Sequence, residues 1–402
     1  MKIVHICLGF PIEFPGGITN YVASLSRMQG QLHDVVVYSG ENKRNFSRVD
    51  QGAFINKRYN SKIRNFSLDL FAKDDSVYEL FENLKRENAD IYHFHSVLGT
   101  DLRLIQLFSK GELNYVVSFH DYNMLCPRVY MVDKWDQTCH EVISEKCQKC
   151  IGSIEQIDIF NKIADKINVR LPSIKSSKID QRHTIFNEFL KNSRGNFAVS
   201  ERVKEIYTFY DDISIEAITI GNESAKYFMT KHYDDIDNLT IAFLGSFDIK
   251  KGAKIFIDMC KASKSNAKFV VYGRGDEKLI KEFEECGGEY RGTYTPDNLS
   301  DILNKVHIGC VLSIWEDNGP QVTMELINSG IPTIGTNRGG IPDFILPNNG
   351  LVIEPSNVSD AVRWIDSMTV DKLNDICAKL TPLKTPEYHS NEMIDRYECI
   401  QK

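Results

Sequence analysis

The stretch Trp315–Asp343, WEDNGPQVTMELINSGIPTIGTNRGGIPD, constrains the fold of this 402-residue chain more than any other. A strand-like run, Ile308 to Leu312, leads into the acidic turn Glu316-Asp317-Asn318-Gly319. Pro320 follows, and proline suits the first helical position, where its missing N–H costs least. Gly330 suits the left-handed residue just past a helix end. The pattern predicts a strand, a turn, a helix over Pro320–Ser329, and a new strand at Pro332–Thr336. The free N–H groups of that helix make an anion site with the turn, drawn from the amides around Gly319, Gln321 and Val322. Gln321 and Glu325 share one helical face. Asp317, eight residues before Glu325, adds a second carboxylate. The region thus offers amides for an anion and two acceptors for sugar hydroxyls. Its plainer reading is one ordinary strand–helix unit of an α/β domain.

The rest of the chain repeats this grammar in two blocks. In the first, strand-like runs at Ile3–Leu8, Asp34–Tyr38, Ile91–Phe94, Tyr115–Phe119 and Phe197–Val199 alternate with helical patterns. Such alternation argues a parallel sheet with helices on both faces. Ligands bind such sheets at the carboxyl ends of strands. The candidates there are Pro15-Gly16-Gly17 after the first run, His93 and His95, and His120-Asp121. Gly16 and Gly17 either admit a phosphate or sugar to the backbone or make a tight turn; no GxGxxG fingerprint is present. His120 either meets a substrate or is structural. The polar, aperiodic segment 221–237 reads as a linker. Alternation resumes at Thr240–Leu244, followed by Gly245-Ser246-Phe247 and Lys250-Lys251-Gly252, then Lys268–Val271, followed by Tyr272-Gly273-Arg274-Gly275. Lys251 supplies a point charge for a diphosphate or is a solvated lysine. Gly273-x-Gly275 admits a flat ring or makes a turn.

The net charge of −7 gives no reason to expect nucleic acid as a partner. No apolar run reaches the ~20 residues of a membrane helix. The start, MKIVHICLGFPIEF, lacks a small-residue cleavage site and reads as a buried strand, so the expected location is the cytoplasm. Four of the ten cysteines, Cys126, Cys139, Cys147 and Cys150, fall within 25 positions. Cys147-x-x-Cys150 spacing lets two thiolates reach one metal, and a structural zinc site, reduced thiols or a redox pair all remain open. Residues 151–194 carry eight Lys/Arg against five acidic residues. That segment either touches an anionic membrane surface or is a solvated helical face.

Taken in order, these motifs resemble the retaining nucleotide-sugar glycosyltransferases of family 4 (glycosyl transferases group 1), in particular a cysteine-containing subset sharing HDYNMLCP. The resemblance implies a GT-B fold: two Rossmann-like α/β domains with parallel sheets facing a central cleft. Residues 1–221 would bind the acceptor and 222–386 the nucleotide sugar, with a helix at 387–402 docking back on the first domain. The family's acidic residue, seven others, then Glu maps to Asp317 and Glu325, followed by Gly330-Ile331-Pro332 and Gly339-Gly340. By resemblance Glu325 binds the ribose, Asp317 and His120 the donor sugar, and Lys251 the diphosphate. The family usually has Glu at the first acidic position, and Glu316 is the alternative if the turn shifts by one. Ser246 stands where the family carries an arginine, with Lys250 and Arg338 as candidates to make up its charge.

The implied reaction moves a sugar from a nucleotide diphosphate donor, UDP- or GDP-linked, to a hydroxyl of a glycan or glycolipid, with configuration retained. Protein cations replace a divalent metal in this family. Surface polysaccharide or glycoconjugate assembly, at the cytoplasmic membrane face, is the family-level expectation. A nucleotide-sugar epimerase and a catalytically weak partner of another transferase are the alternatives. Oligomeric state, sugar and base are not encoded in these motifs.

Overall fold

The computed structural model describes residues 1–11, 14, 16–41, 46–61, 70–133, 137–139, 141–151, 176–210 and 212–401. Pro15 and residues 152–175 of the basic segment 151–194 lie outside them. The chain divides into two units, Met1–Ile218 with Glu387–Lys402, and Thr219–Pro386.

The described part of the first unit contains strands β1 (Lys2–Leu8), β2 (Asp34–Glu41), β3 (Ser47–Asp50), β4 (Ile55–Asn60), β5 (Ile91–Phe94), β6 (Tyr115–Phe119), β7 (Gly195–Ala198) and β8 (Glu216–Ala217). They form one sheet in the order β3-β4-β2-β1-β5-β6-β7-β8. The central strands are buried along nearly their whole length, as in β1 and β5, because helices cover both faces. Those helices are α1 (Gly17–Gln29), α2 (Ser76–Arg86), α3 (Leu102–Ser109), α4 (Ser144–Ile151), α5 (Ser176–Asn192) and α6 (Glu201–Tyr210). Ser200 caps α6 by accepting from the Val203 amide at 3.3 Å. The edge pair departs from the all-parallel expectation: β3 runs antiparallel to β4. Neither strand has a long apolar run, so their sequence reads as loop.

The second unit holds β9 (Thr240–Leu244), β10 (Lys268–Tyr272), β11 (Glu289–Tyr290), β12 (Ile308–Val311), β13 (Thr333–Thr336) and β14 (Gly350–Ile353), ordered β11-β10-β9-β12-β13-β14 with every described pairing parallel. Its helices are α7 (Ala253–Ala262), α8 (Glu277–Glu285), α9 (Pro296–Leu303), α10 (Gln321–Asn328), α11 (Ile341–Phe344), α12 (Val358–Asp366) and α13 (Val370–Lys379). Successive residues of β9 enter opposite cores. Ile241 and Phe243 pack with Phe256 and Phe269, while Ala242 and Leu244 pack with Leu326 and Ile327. A two-faced strand of this kind has no polar side, which is why the run TIAFL reads as continuous apolar.

The segment read as a linker is packed instead. Residues 223–227 form a 3₁₀ turn, and Lys231 Nζ donates to the carbonyls of Leu303 (2.5 Å) and Val306 (3.0 Å). A lysine that satisfies carbonyls looks polar in sequence and is anchored in structure. After the second unit, α14 (Pro386–Gln401) returns to the first. Tyr397 bonds His93 Nδ1 at 2.5 Å, and His389 Nε2 meets Tyr21 Oη at 2.8 Å.

Gly330 ends α10 at φ +74, and the amides of Gly330 and Ile331 close onto Ile327 and Leu326. A Cβ at Gly330 would lie 2.4 Å from the Met229 carbonyl oxygen. Gly330→Ala is expected to cost about 2 kcal/mol or more, from backbone strain and that contact together, read as a lowered urea midpoint for the second unit.

Candidate active site

The second sheet reverses its strand order between β9 and β12, the place where α/β sheets bind ligands beyond the strand ends. Lys251 leaves the loop after β9 and Asp317 the loop after β12, and the two meet there. Lys251 Nζ lies 2.6 Å from Asp317 Oδ2 and 5.1 Å from the Trp315 ring centre. Ser313 Oγ donates to the same carboxylate oxygen at 2.9 Å. Asp248 accepts from the Lys251 amide at 2.9 Å, and the Ile314 amide donates to the Lys250 carbonyl at 2.9 Å, so the two loops are joined through backbone.

The acidic turn is gripped from its other side. The Gly340 amide donates to the Asp317 carbonyl at 2.7 Å and the Gly339 amide to Glu316 Oε2 at 2.8 Å. A Cβ at Gly339 would lie 2.0 Å from the Asp317 carbonyl oxygen, so only glycine fits. Glu316 is buried and spent on this grip, which leaves Asp317, also buried, as the carboxylate of the turn that meets Lys251. Asn318 was not among the residues singled out from sequence. It is 3% exposed, and neither its Oδ1 nor its Nδ2 has a hydrogen-bond partner. A buried amide without partners is expensive, and it lies in the same turn as Asp317. Ser313 was missed as well; its position four residues before Asp317, at a strand end, was the available signal.

Helix α10 begins at Gln321, not Pro320, which sits at the cap with φ −68 and ψ 111. Pro320 therefore shapes the entry and offers no donor, while the amides of Gly319 and Val322 flank it. Burial of Met324, Leu326 and Ile327 fixes the helix against the sheet and sets Glu325 on its more accessible side. The Glu325 carboxyl has no hydrogen-bond or ion-pair partner among the described residues, and burial pushes its pKa up to about 7. It is a carboxyl desolvated by its surroundings and not compensated by them.

The loops after β9 and β10 run side by side, with Gly245 donating to the Tyr272 carbonyl at 2.8 Å and Phe247 to the Arg274 carbonyl at 2.7 Å. Gly245, Ser246, Tyr272 and Gly273 thus occupy one ridge, with Ser246 exposed. Arg338 is bonded to Asn337 and lies 3.4 Å from Glu354, so its charge is engaged there and does not make up for the absent arginine at 246.

In the first unit, Gly16 precedes and Gly17 opens α1. A Cβ at Gly17 would meet nothing within 4 Å, and one at Gly16 only Thr19 Oγ1 at 3.8 Å. Among the described residues, packing does not require a glycine at either position. His120 follows β6, partly exposed, with Nε2 3.3 Å from His95 Nδ1; burial lowers its pKa to about 3. His93 lies within β5 and is fully buried, so it is not a strand-end group as its spacing predicted. His5, His93 and His95 form the one group of metal-ligand atoms within 4.8 Å among the described residues. Their nitrogens are already spent on one another, Gln29, Tyr397, Ser118 and His120.

Cys126 and Cys147 are buried, and Cys139 and Cys150 partly so. The four lie near enough to act on one another electrostatically, but their sulfurs are not drawn into such a group. Beside them the buried Arg182 guanidinium donates to the Met124 carbonyl at 3.1 Å and to the Asn123 carbonyl; among the described residues no carboxylate is in ion-pair range, though Asp121 acts on it electrostatically.

Residues 230–381 match the family model for glycosyl transferases group 1. That match lies wholly within the second unit. The chain is 25% identical over 154 residues to sulfoquinovosyl transferase SQD2 of Arabidopsis thaliana, a match spanning 37% of this chain and 30% of that relative's length. Among solved structures it is similar to sucrose-phosphate synthase from Thermosynechococcus elongatus, at TM-score 0.65 and 12% identity over 100% of this chain and 99% of the other. It is also similar to HepE of Anabaena, solved with UDP, at TM-score 0.63 and 11% identity over 99% and 100%. The fold is α/β with parallel sheets and matches the GT-B glycosyltransferases.

Within the matched residues, Glu325 makes stability depend on pH. Its carboxyl ionises in the unfolded chain near 4.5 but in the fold only near 7. The penalty is absent below the lower value, grows between the two, and is complete above the upper. Glu325→Gln is therefore expected to leave stability nearly unchanged at acidic pH and to raise it by up to about 3 kcal/mol above neutrality. Urea unfolding of both proteins across this range measures it.

Proposed function

We propose that this chain is a hexosyltransferase of glycosyltransferase family 4, moving a sugar from a nucleotide diphosphate donor to an acceptor hydroxyl with retention of configuration. The observation that carries the reading is Glu325: a partly buried carboxyl with no hydrogen-bond or ion-pair partner among the described residues, one turn into the helix that follows the switch-point loop. Two ribose hydroxyls donating to it would supply the partners that the fold does not. The UDP held by HepE supports a uridine nucleotide as donor.

In this reading the bond between the anomeric carbon and the terminal phosphate oxygen breaks, and charge develops on the leaving diphosphate. Lys251 has three N–H donors, and Asp317 uses one. The others, with the amides of Gly319 and Val322, stabilise the diphosphate as it leaves, the electrostatic contribution that is usually largest in catalysis. Asp317, Asn318 and, in the first unit, His120 orient the donor sugar. The acceptor hydroxyl attacks the face from which the diphosphate departs and gives its proton to the leaving oxygen. Gly16 and Gly17 leave room for substrate beside α1. The acceptor is a glycan or glycolipid in surface polysaccharide assembly, and the enzyme works in the cytoplasm, at or near the membrane face. No helix among the described residues is long and apolar enough to cross a membrane.

Ser246 favours one second reading, a weakly active nucleotide-sugar-binding partner of another transferase, since a solvent-exposed serine brings no charge to the diphosphate. The reading also includes a structural zinc on Cys126, Cys139, Cys147 and Cys150. Arg182 supports it, because its buried guanidinium bonds the Asn123 and Met124 carbonyls, and thiolates at Cys126 and Cys147, which with Asp121 lie within electrostatic reach of it, would add to its counter-charge.

UDP is expected to bind with a dissociation constant that rises at least tenfold in Glu325→Ala, and that weakens in the parent as pH falls below about 7, since the ribose binds the ionised carboxyl. Calorimetric titration across pH reads both. Affinity unchanged in the variant and across pH removes the ribose role. Donor turnover by the isolated protein separates transferase from binding partner, and Ser246→Arg should raise turnover only if the missing charge is the limit. For the cysteines, elemental analysis of protein purified without added metal should find zinc near one equivalent, lost in Cys147→Ser. Metal-free protein sinks that part.

A further inference from the structure

The first unit contains a run of imidazoles whose hydrogen-bond direction can be traced. His5 on β1, His93 on β5 with His95 just past its end, and Ser118 on β6 with His120 just past its end occupy alternate positions, so they share one side of the sheet. Tyr21 and Gln29 of α1 and His389 and Tyr397 of α14 meet that layer. Burial holds every one of the four sheet histidines below its ordinary range, His5 to about 4 and His120 to about 3. Each ring is therefore neutral, with one N–H and one lone pair.

The direction starts at Gln29, whose Oε1 can only accept. His5 Nε2, 2.8 Å away, must donate to it. His5 Nδ1 is then a lone pair and accepts from His95 Nε2 at 2.9 Å. His95 Nδ1 in turn accepts from His120 Nε2 at 3.3 Å. His120 is left with a bare Nδ1, which has no hydrogen-bond partner among the described residues, on a ring that remains partly exposed. The other histidine pathway, from Tyr397 through His93 to Ser118, does not share these nitrogens.

We propose that Gln29, acting through His5 and His95, is a positioning residue that fixes His120 as its Nε2–H tautomer and so makes His120 an acceptor-only reader of a substrate hydroxyl. The substrate half rests on the assignment of His120 to the donor sugar made above. A bare Nδ1 accepts a hydroxyl proton and repels a carboxylate, whereas an Nδ1–H would welcome either. The donor class is thus a sugar with a free hydroxyl, not a carboxylate, at the carbon that His120 meets.

The test is nitrogen-15 NMR of the full chain with labelled histidine, near neutral pH and without donor, His120 being assigned by the signal lost in His120→Ala. The expected spectrum has His120 protonated at Nε2 and bare at Nδ1. Gln29→Met, which removes the anchoring acceptor, should move the His120 Nδ1 resonance toward the protonated position and raise donor KM about fivefold, the worth of one neutral hydrogen bond, with kcat little changed. Gln29→Glu keeps an acceptor and should keep the tautomer. A proton on Nδ1 of His120 in the unaltered protein overturns the proposal whatever the variants do. An unchanged spectrum in a folded Gln29→Met overturns the part played by Gln29. If the tautomer is as expected but His120→Ala binds and turns over donor normally, the donor-site reading fails and the relay stands as a structural feature.

Discussion

The grip of Gly339 and Gly340 on the acidic turn underlies everything else in the second unit's site. Two backbone amides, one on the Asp317 carbonyl and one on the Glu316 carboxylate, hold the turn against the start of α11. Glu316 is thereby removed from the surface and Asp317 is turned to Lys251 and Ser313. Lys251 in turn ties the loop after β9 to the loop after β12. A side chain at 339 would collide with the Asp317 backbone, so the loop after β13 and the turn after β12 are one construction. Carboxylate, ammonium and helix entry are placed by backbone contacts, which do not relax as side chains do.

The parallel core was legible because strands buried on both faces announce themselves as apolar runs. Ile91–Phe94, Tyr115–Phe119 and Thr240–Leu244 coincide with the observed strands to the residue. The helix around Glu325 was legible from its proline entry and glycine exit. The edge strand β3 and its neighbour β4 were not, since strands at the margin of a sheet need no continuous apolar face. Nor was the pairing of Lys251 with Asp317, which depends on β9 and β12 being neighbours in space and not in sequence. Asn318 escaped notice because its distinguishing property, a buried amide left without partners, exists only in three dimensions. His93 was misplaced because alternation put it at a strand end while the register put it inside the sheet.

The two units use desolvation to opposite chemical ends. Around Glu325 it raises an acid until it titrates near neutrality, so the group gains or loses its charge there. Around His5, His95 and His120 it suppresses basicity, so that no ring takes a second proton and each keeps a donor end and an acceptor end. In one unit solvent exclusion creates a switchable charge. In the other it preserves polarity without charge, the condition for a directional chain of imidazoles.

Helix α14 has a consequence for the order in which the chain acquires structure. His93 and Tyr21 are buried with α14 as their hydrogen-bond partner, yet α14 is translated only after the whole of the second unit. On the ribosome the second unit has every segment it needs before the first unit has its last one. Until α14 emerges, Tyr21 and His93 lack their hydrogen-bond partners His389 and Tyr397, so the first unit's polar layer is satisfied only when the last helix of the chain is made.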